Sequence, residues 1–209
     1  SCFWMKDAVD RKAPDWAIDA NQAMQAHSDQ NLPETPGILA ADVALYIFTS
    51  GTTGLPKAAT YKHQRLVTAA NLLGKLTLRP KPGDRLYLCL PIYHITGLGP
   101  GLCGFIAAGG TVCLRRTFSA GKFWSEVQAW QTNSFVYVGE LCRYLVTQAP
   151  TDAEKNNPLQ KMVGNGLRPD VWDEFKSRFD VDRICEVYGS SEGNVTFLNL
   201  LNKDRTIGT

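Results

Sequence analysis

At 209 residues, 44% of them hydrophobic, the chain has enough apolar mass for one large core or two small ones, which excludes a disordered or collagen-like polypeptide. Lys and Arg number 22 against 20 Asp and Glu, a net charge of +2, and no basic block tracks a phosphate backbone, so nucleic acid is not an expected partner. The six cysteines, Cys2, Cys89, Cys103, Cys113, Cys142 and Cys185, never form a C-x-x-C pair; several lie in apolar runs where a reduced thiol packs as a small hydrophobe, pointing to a reducing, cytosol-facing compartment and no structural zinc.

The opening "SCFWMKDAVDRKAPDW" is charged early and lacks the apolar stretch of a signal peptide. Residues 1–42 read as an irregular lead-in and linker that includes "NLPETPG" at Asn31–Gly37, with an α/β core expected over 43–209. That core begins with a strand at Val43–Thr49. A helix follows at His63–Leu76, with Leu66, Ala69, Ala70 and Leu73 on one face, then a strand at Asp84–Leu90 and helical character at Gly101–Ala108. Next come a strand at Thr111–Arg115, a helix at Ser119–Thr132, a strand at Ser134–Val138 and a helix at Glu140–Gln148. A short strand at Lys161–Val163, a helix at Pro169–Phe179 and a strand at Arg183–Tyr188 complete the series. Such βα alternation predicts the fold class: α/β, with a largely parallel sheet, flanking helices and ligands at the carboxyl ends of the strands.

From Leu86 to Leu114 there is no Asp, Glu, Lys or Arg, a length sufficient to cross a bilayer as a helix. Gly97, Gly99, Gly101, Gly104, Gly109, Gly110, Pro91 and Pro100 interrupt the run, and a buried core segment is the expected reading. Within it, Gly99-Pro-Gly101-Leu-Cys-Gly104 satisfies the dinucleotide pattern G-x-G-x-x-G. The proline in the turn and the lack of a strand-turn-helix context make helix packing its expected role.

The chemistry concentrates in "YIFTSGTTGLPKAAT" at Tyr46–Thr60. Thr49, Ser50, Thr52 and Thr53 offer hydroxyls, Gly51 and Gly54 let backbone N–H groups approach a ligand closely, and Lys57 adds a point charge: a phosphate cradle. It is not the P-loop pattern, because Pro56 precedes the lysine and Ala58 follows it. A plain polar turn between two strands would account for the Gly and Pro and leave the hydroxyls and lysine as coincidence. His27 and His63 match no motif and are expected at the surface. Glu140 and Arg143, spaced i to i+3, read as an ordinary helix pair with no catalytic role.

"TSGTTGLPK" at Thr49–Lys57 resembles the phosphate-loop signature of the adenylate-forming superfamily: acyl-CoA synthetases, luciferases and peptide-synthetase adenylation domains. "LPIYH" at Leu90–His94 and "YGSSE" at Tyr188–Glu192 follow in that superfamily's order. Within it, "FSAGKFW" at Phe118–Trp124, "VGELCRYL" at Val138–Leu145 and "GNGLR" at Gly164–Arg168 resemble the fatty acid transport protein branch, the very-long-chain acyl-CoA synthetases. The resemblance runs from Leu45 to Asn194.

The resemblance implies that a fatty acid carboxylate attacks ATP to give an acyl-adenylate, and that coenzyme A then displaces AMP. Thr49, Ser50, Gly51, Thr52, Thr53, Gly54 and Lys57 would hold the β- and γ-phosphates, and Glu192 the Mg²⁺. Ser191, where the family usually has threonine, would reach the α-phosphate. Adenine would lie between the ring of Tyr188, followed by Gly189, and the backbone of Gly164, Asn165, Gly166 and Leu167. His94 would stand near the carboxylate entrance, so the catalytic candidates are Lys57, His94 and Glu192. The acyl tunnel would run near the helix carrying Glu140 and Arg143. The resemblance further implies an internal fragment of the large N-terminal domain, because the family's ribose-binding aspartate, hinge and catalytic lysine all follow "YG..E"; the isolated piece is expected to bind ATP poorly and turn nothing over. The alternatives are a membrane-associated fatty acid carrier and a CoA ligase for a bile-acid-like or carnitine-like carboxylate. A cytoplasmic location is expected, with peripheral membrane association of the longer protein left open.

Overall fold

The computed structural model describes residues 2–5, 12–49, 55–191 and 195–208, and the chain divides into two units, Ser1–Leu39 and Ala40–Thr209. In the first, β1 (Phe3–Trp4) pairs in parallel with β2 (Ile18–Asp19), and α1 (Ala20–Gln25) follows directly. The Asp19 carboxylate caps α1 by accepting the N–H groups of Asn21 and Gln22 at 2.9 and 3.2 Å. The stretch expected to be irregular therefore carries local order, built on an Asp cap before a short run of helix formers.

The second unit opens with an antiparallel hairpin, β3 (Val43–Thr49) and β4 (Lys57–Lys62), in which Thr49 faces Lys57 and Tyr46 faces Thr60. Strand β4 was not expected. Its pattern is carried only by Ala59 and Tyr61, which are buried beside Ile47 while their neighbours are exposed. The chain continues as α2 (His63–Ala69), which widens into π-helical turns at Ala70–Leu76, then β5 (Arg85–Leu88). A second π-helical stretch, Gly97–Cys103, with Pro100 inside it, leads into α3 (Gly104–Ala107) and β6 (Thr111–Leu114). After these come α4 (Ala120–Trp130), β7 (Ser134–Val138), α5 (Gly139–Val146), β8 (Lys161–Asn165), α6 (Pro169–Ser177), β9 (Arg183–Tyr188) and β10 (Phe197–Leu198).

Six strands form one sheet in the order β10-β9-β8-β7-β5-β6, parallel throughout except for β10. The largely parallel sheet expected from the alternation is present. Each strand sends alternate residues to opposite faces. Tyr87, Phe135, Tyr137, Met162 and Ile184 pack with Phe123, Trp124, Trp172, Phe175 and Phe179 from α4, α6 and the turn after α6. Leu86, Leu88, Val136, Val163 and Cys185 pack with Leu78 and Phe105 on the other side. Each of these side chains removed from water contributes roughly 1.5–3 kcal/mol before the entropy of ordering is counted.

The uncharged stretch enters the core through Leu86, Tyr87, Leu88 and Phe105, all fully buried, while Ile92, Tyr93, Ile106 and Leu114 are exposed. Among the described residues no helix is long and apolar enough to cross a membrane. Its G-x-G-x-x-G pattern serves packing. A Cβ added at Gly74 would sit 2.5 Å from the Cα of Gly104, so two helical backbones meet where neither has a side chain.

Candidate nucleotide site at the carboxyl edge of the sheet

Because β5, β7, β8 and β9 run parallel, their carboxyl ends open on one edge. His94 follows β5, Gly139 begins α5 after β7, Gly164–Leu167 close β8, and Tyr188–Ser191 follow from β9. The topology therefore gathers four of the sequence-selected segments without reference to any ligand.

Close approach shapes the turn after β8. A Cβ on Gly164 would collide with the carbonyl and ring of Tyr137, and one on Gly139 would run into the carbonyl of Gly166. Gly166 has φ +80°, a left-handed conformation that L side chains rarely adopt. Asn165 and Gly166 are exposed at the edge while Leu167 is buried. On the adjacent strand, the Tyr188 ring is 63% exposed, with Phe197 tilted against it at 6.2 Å between centroids. Tyr188 is thus not a core residue but a surface ring beside the glycine turn.

Beneath this turn lies Glu186, only 1% exposed. The Leu167 N–H donates to its Oε1 at 2.9 Å and the Tyr137 hydroxyl to its Oε2 at 2.5 Å. Burial pushes the Glu186 carboxyl above its ordinary value of 4.5, while the bonds from Tyr137, Leu167 and Gly166 pull it partly back. Burial and the neighbouring Glu186 charge push the Tyr137 phenol well up.

On the phosphate side, the Thr49 hydroxyl donates to the Lys57 carbonyl at 3.4 Å, and Lys57 is exposed at the start of β4. Ser50, Gly51, Thr52, Thr53, Gly54 and Glu192 lie outside the described residues. The hairpin that carries this motif is tied to the turn after β9 through the Ser191 carbonyl, which accepts from the Tyr61 hydroxyl at 2.6 Å and from Nη2 of Arg65 at 3.0 Å. Strand β4 and helix α2 are thereby joined to a turn 130 and 126 residues away.

His94 is exposed, and its Nδ1 accepts the Thr96 N–H at 3.3 Å, which leaves the proton of the neutral ring on Nε2. Glu140 and Arg143 form the two-pronged helix pair expected from their spacing, at 2.9 and 2.5 Å. Hydrogen bonding to Arg143 holds the Glu140 carboxyl down at about 2. With 40% and 54% of the side chains exposed, solvent screening leaves the pair little weight in stability.

A family model described as AMP-binding enzyme matches residues 5–209. The chain belongs to the AMP-binding enzyme family. Within this family it is similar to the medium/long-chain-fatty-acid–CoA ligase FadD6 of Mycobacterium tuberculosis, 46% identical over 178 residues that cover 85% of this chain and 30% of the relative. Human long-chain fatty acid transport protein 3 is 42% identical over 178 residues, covering 83% and 26%. Among solved structures, ATP-bound MatB from Rhodopseudomonas palustris aligns with a TM-score of 0.68 at 26% identity, over 81% of this chain and 33% of that one. The chain spans 26–33% of the length of these family members.

Three residues escaped the sequence reading. Glu186 left a signal, a carboxylate in the apolar strand "RICEVY", where burial demands donors. Tyr61 and Arg65 left none, because their shared acceptor lies 130 and 126 residues away.

Proposed function

We propose that the full-length protein activates a long- or very-long-chain fatty acid in two steps. A carboxylate oxygen attacks the α-phosphorus of ATP, the α–β bridging bond breaks and pyrophosphate leaves. The CoA thiol then attacks the acyl carbonyl, and AMP leaves with the electrons of the broken C–O bond. The observation that carries this reading is the Ser191 junction, which joins the hairpin bearing the phosphate-loop motif to the "YGSSE" turn beside the glycine turn of β8. The fatty acid class is supported by 46% identity to a protein named as a medium/long-chain-fatty-acid–CoA ligase.

In this reading Lys57, with Thr49 and residues 50–54, offsets the negative charge that builds as pyrophosphate departs. The Gly164–Leu167 backbone, the exposed Tyr188 ring and Gly189 wall the adenine, and the Ser191 hydroxyl donates toward the α-phosphate. His94, its Nδ1 occupied by Thr96, offers Nε2–H to the acid or to the acyl-adenylate carbonyl. Glu192 would hold Mg²⁺, a hard cation that a carboxylate oxygen suits, and the ion would neutralise triphosphate charge.

The test is pyrophosphate release by the full-length protein across carboxylic acids of increasing length, with and without CoA. A peak at long chains supports the proposal, a peak at a bile-acid-like or carnitine-like acid redirects it, and a flat response overturns it. The 209-residue chain alone is proposed to bind ATP poorly and turn nothing over, since domain closure completes such sites; acyl-CoA formation by the purified chain would refute this. The 42% identity to a named transport protein favours a second reading, a membrane-associated fatty acid carrier. Flotation of the chain with liposomes would support that reading.

A further inference from the structure

We propose that Tyr61 and Arg65 are positioning residues that couple the hairpin strand beginning at Lys57 to the turn after β9, setting where Ser191 meets the triphosphate. The proposal rests on the ligase reading above. Two donors from different elements converge on one acceptor: the Tyr61 phenol from β4 at 2.6 Å and the Arg65 guanidinium from α2 at 3.0 Å, both on the Ser191 carbonyl. One of them is permanently charged, which makes that bond the stronger kind. Tyr61 is 2% exposed and packs with Ile47 and Ala59, so the hairpin's own core aims its hydroxyl. The Arg65 guanidinium lies 4.3 Å from the centroid of the Tyr61 ring, so each side chain restrains the other.

Three features distinguish this junction from ordinary packing. The acceptor is a backbone carbonyl, so it persists whether residue 191 is serine or threonine, and the donors come from the side chains at 61 and 65. Tyr61 is on the same extended strand as Lys57, and Thr49 faces Lys57 in register, so fixing Tyr61 fixes the stem from which the phosphate loop springs. The fixed carbonyl also belongs to Ser191, whose hydroxyl is proposed above to reach the α-phosphate. An error of about 1 Å in placing such a group is enough to lower turnover strongly.

The test uses the full-length protein with Arg65→Met, Arg65→Lys and Tyr61→Phe. Losing a charge-assisted hydrogen bond should raise the KM for ATP about tenfold in Arg65→Met, with the KM for CoA unchanged. Arg65→Lys keeps a charged donor and should recover most of that loss. Amide hydrogen exchange should quicken at residues 189–191 in Arg65→Met and Tyr61→Phe, while β7 and β8 keep wild-type protection. An unchanged KM for ATP, or a lower melting temperature with no selective change at 189–191, overturns the proposal. The exchange measurement needs no turnover. A wild-type protein that released no pyrophosphate would remove the ligase reading, and the coupling would then stand or fall on exchange at 189–191.

Discussion

Glu186 holds Leu167: the carboxylate of a β9 residue accepts the backbone N–H that follows β8, at 2.9 Å, and so one strand fixes the terminal turn of its neighbour. The same carboxylate takes the Tyr137 hydroxyl from β7. Glu186→Ala would leave these buried donors without an acceptor and is expected to destabilise the protein by about 2–4 kcal/mol in urea unfolding. Glu186→Gln keeps an acceptor oxygen and should lose less than half of that.

The same residue imposes a pH dependence. Burial raises its folded pKa above 4.5, so the folded state holds the proton more tightly than the unfolded chain does. Its stabilising contribution is complete below 4.5 and is lost as the pH rises through the raised folded value. Glu186→Gln does not titrate and should gain stability relative to wild type as pH rises from 4.5 toward neutrality. Urea midpoints for the two proteins at a series of pH values check this, and a constant difference would contradict it.

The crossing of Gly74 and Gly104 predicts that either Gly74→Ala or Gly104→Ala costs about 1–3 kcal/mol, because a new Cβ meets rigid backbone. Gly121, in α4, has nothing within 4 Å of its added Cβ. Gly121→Ala should therefore stabilise by about 0.4–1 kcal/mol, chiefly by restricting the unfolded chain. Thermal unfolding of the three variants provides the comparison.

Gly139→Ala drives a methyl group into the Gly166 carbonyl, and Gly166→Ala forces a side chain into a left-handed conformation. The second change costs about 1–2 kcal/mol in backbone strain. If the full-length protein is the ligase proposed above, both should raise its KM for ATP while leaving the KM for CoA near wild type. Steady-state kinetics with each substrate varied in turn would show it.

Lys57→Ala removes an exposed side chain that bears little on the fold. If the amine balances charge on the departing pyrophosphate, kcat should fall by about 10²–10³-fold with no loss of melting temperature. A change confined to the KM for ATP would instead assign Lys57 to ground-state binding.

The strands were readable from local pattern wherever one carries large apolar or β-branched residues. Val43–Thr49, Ser134–Val138 and Arg183–Tyr188 stand where alternation and flanking breakers put them. Strand β4 was not, because "KAATYK" buries only an alanine and a tyrosine and follows a Gly- and Pro-rich turn. The motifs at the sheet edge could be selected from sequence because each is local. What joins them is tertiary: no spacing rule links Arg65 to a carbonyl 126 residues later. Glu186 lies between these cases, since its charge in an apolar strand demanded a partner without naming one.

The meeting of Gly139 with Gly166 ties the first residue of α5 to the turn after β8 through bare backbone on both sides. With no compressible side chain between them, that helix and that turn shift as one body. A substitution that slid the helix would therefore drag the turn with it.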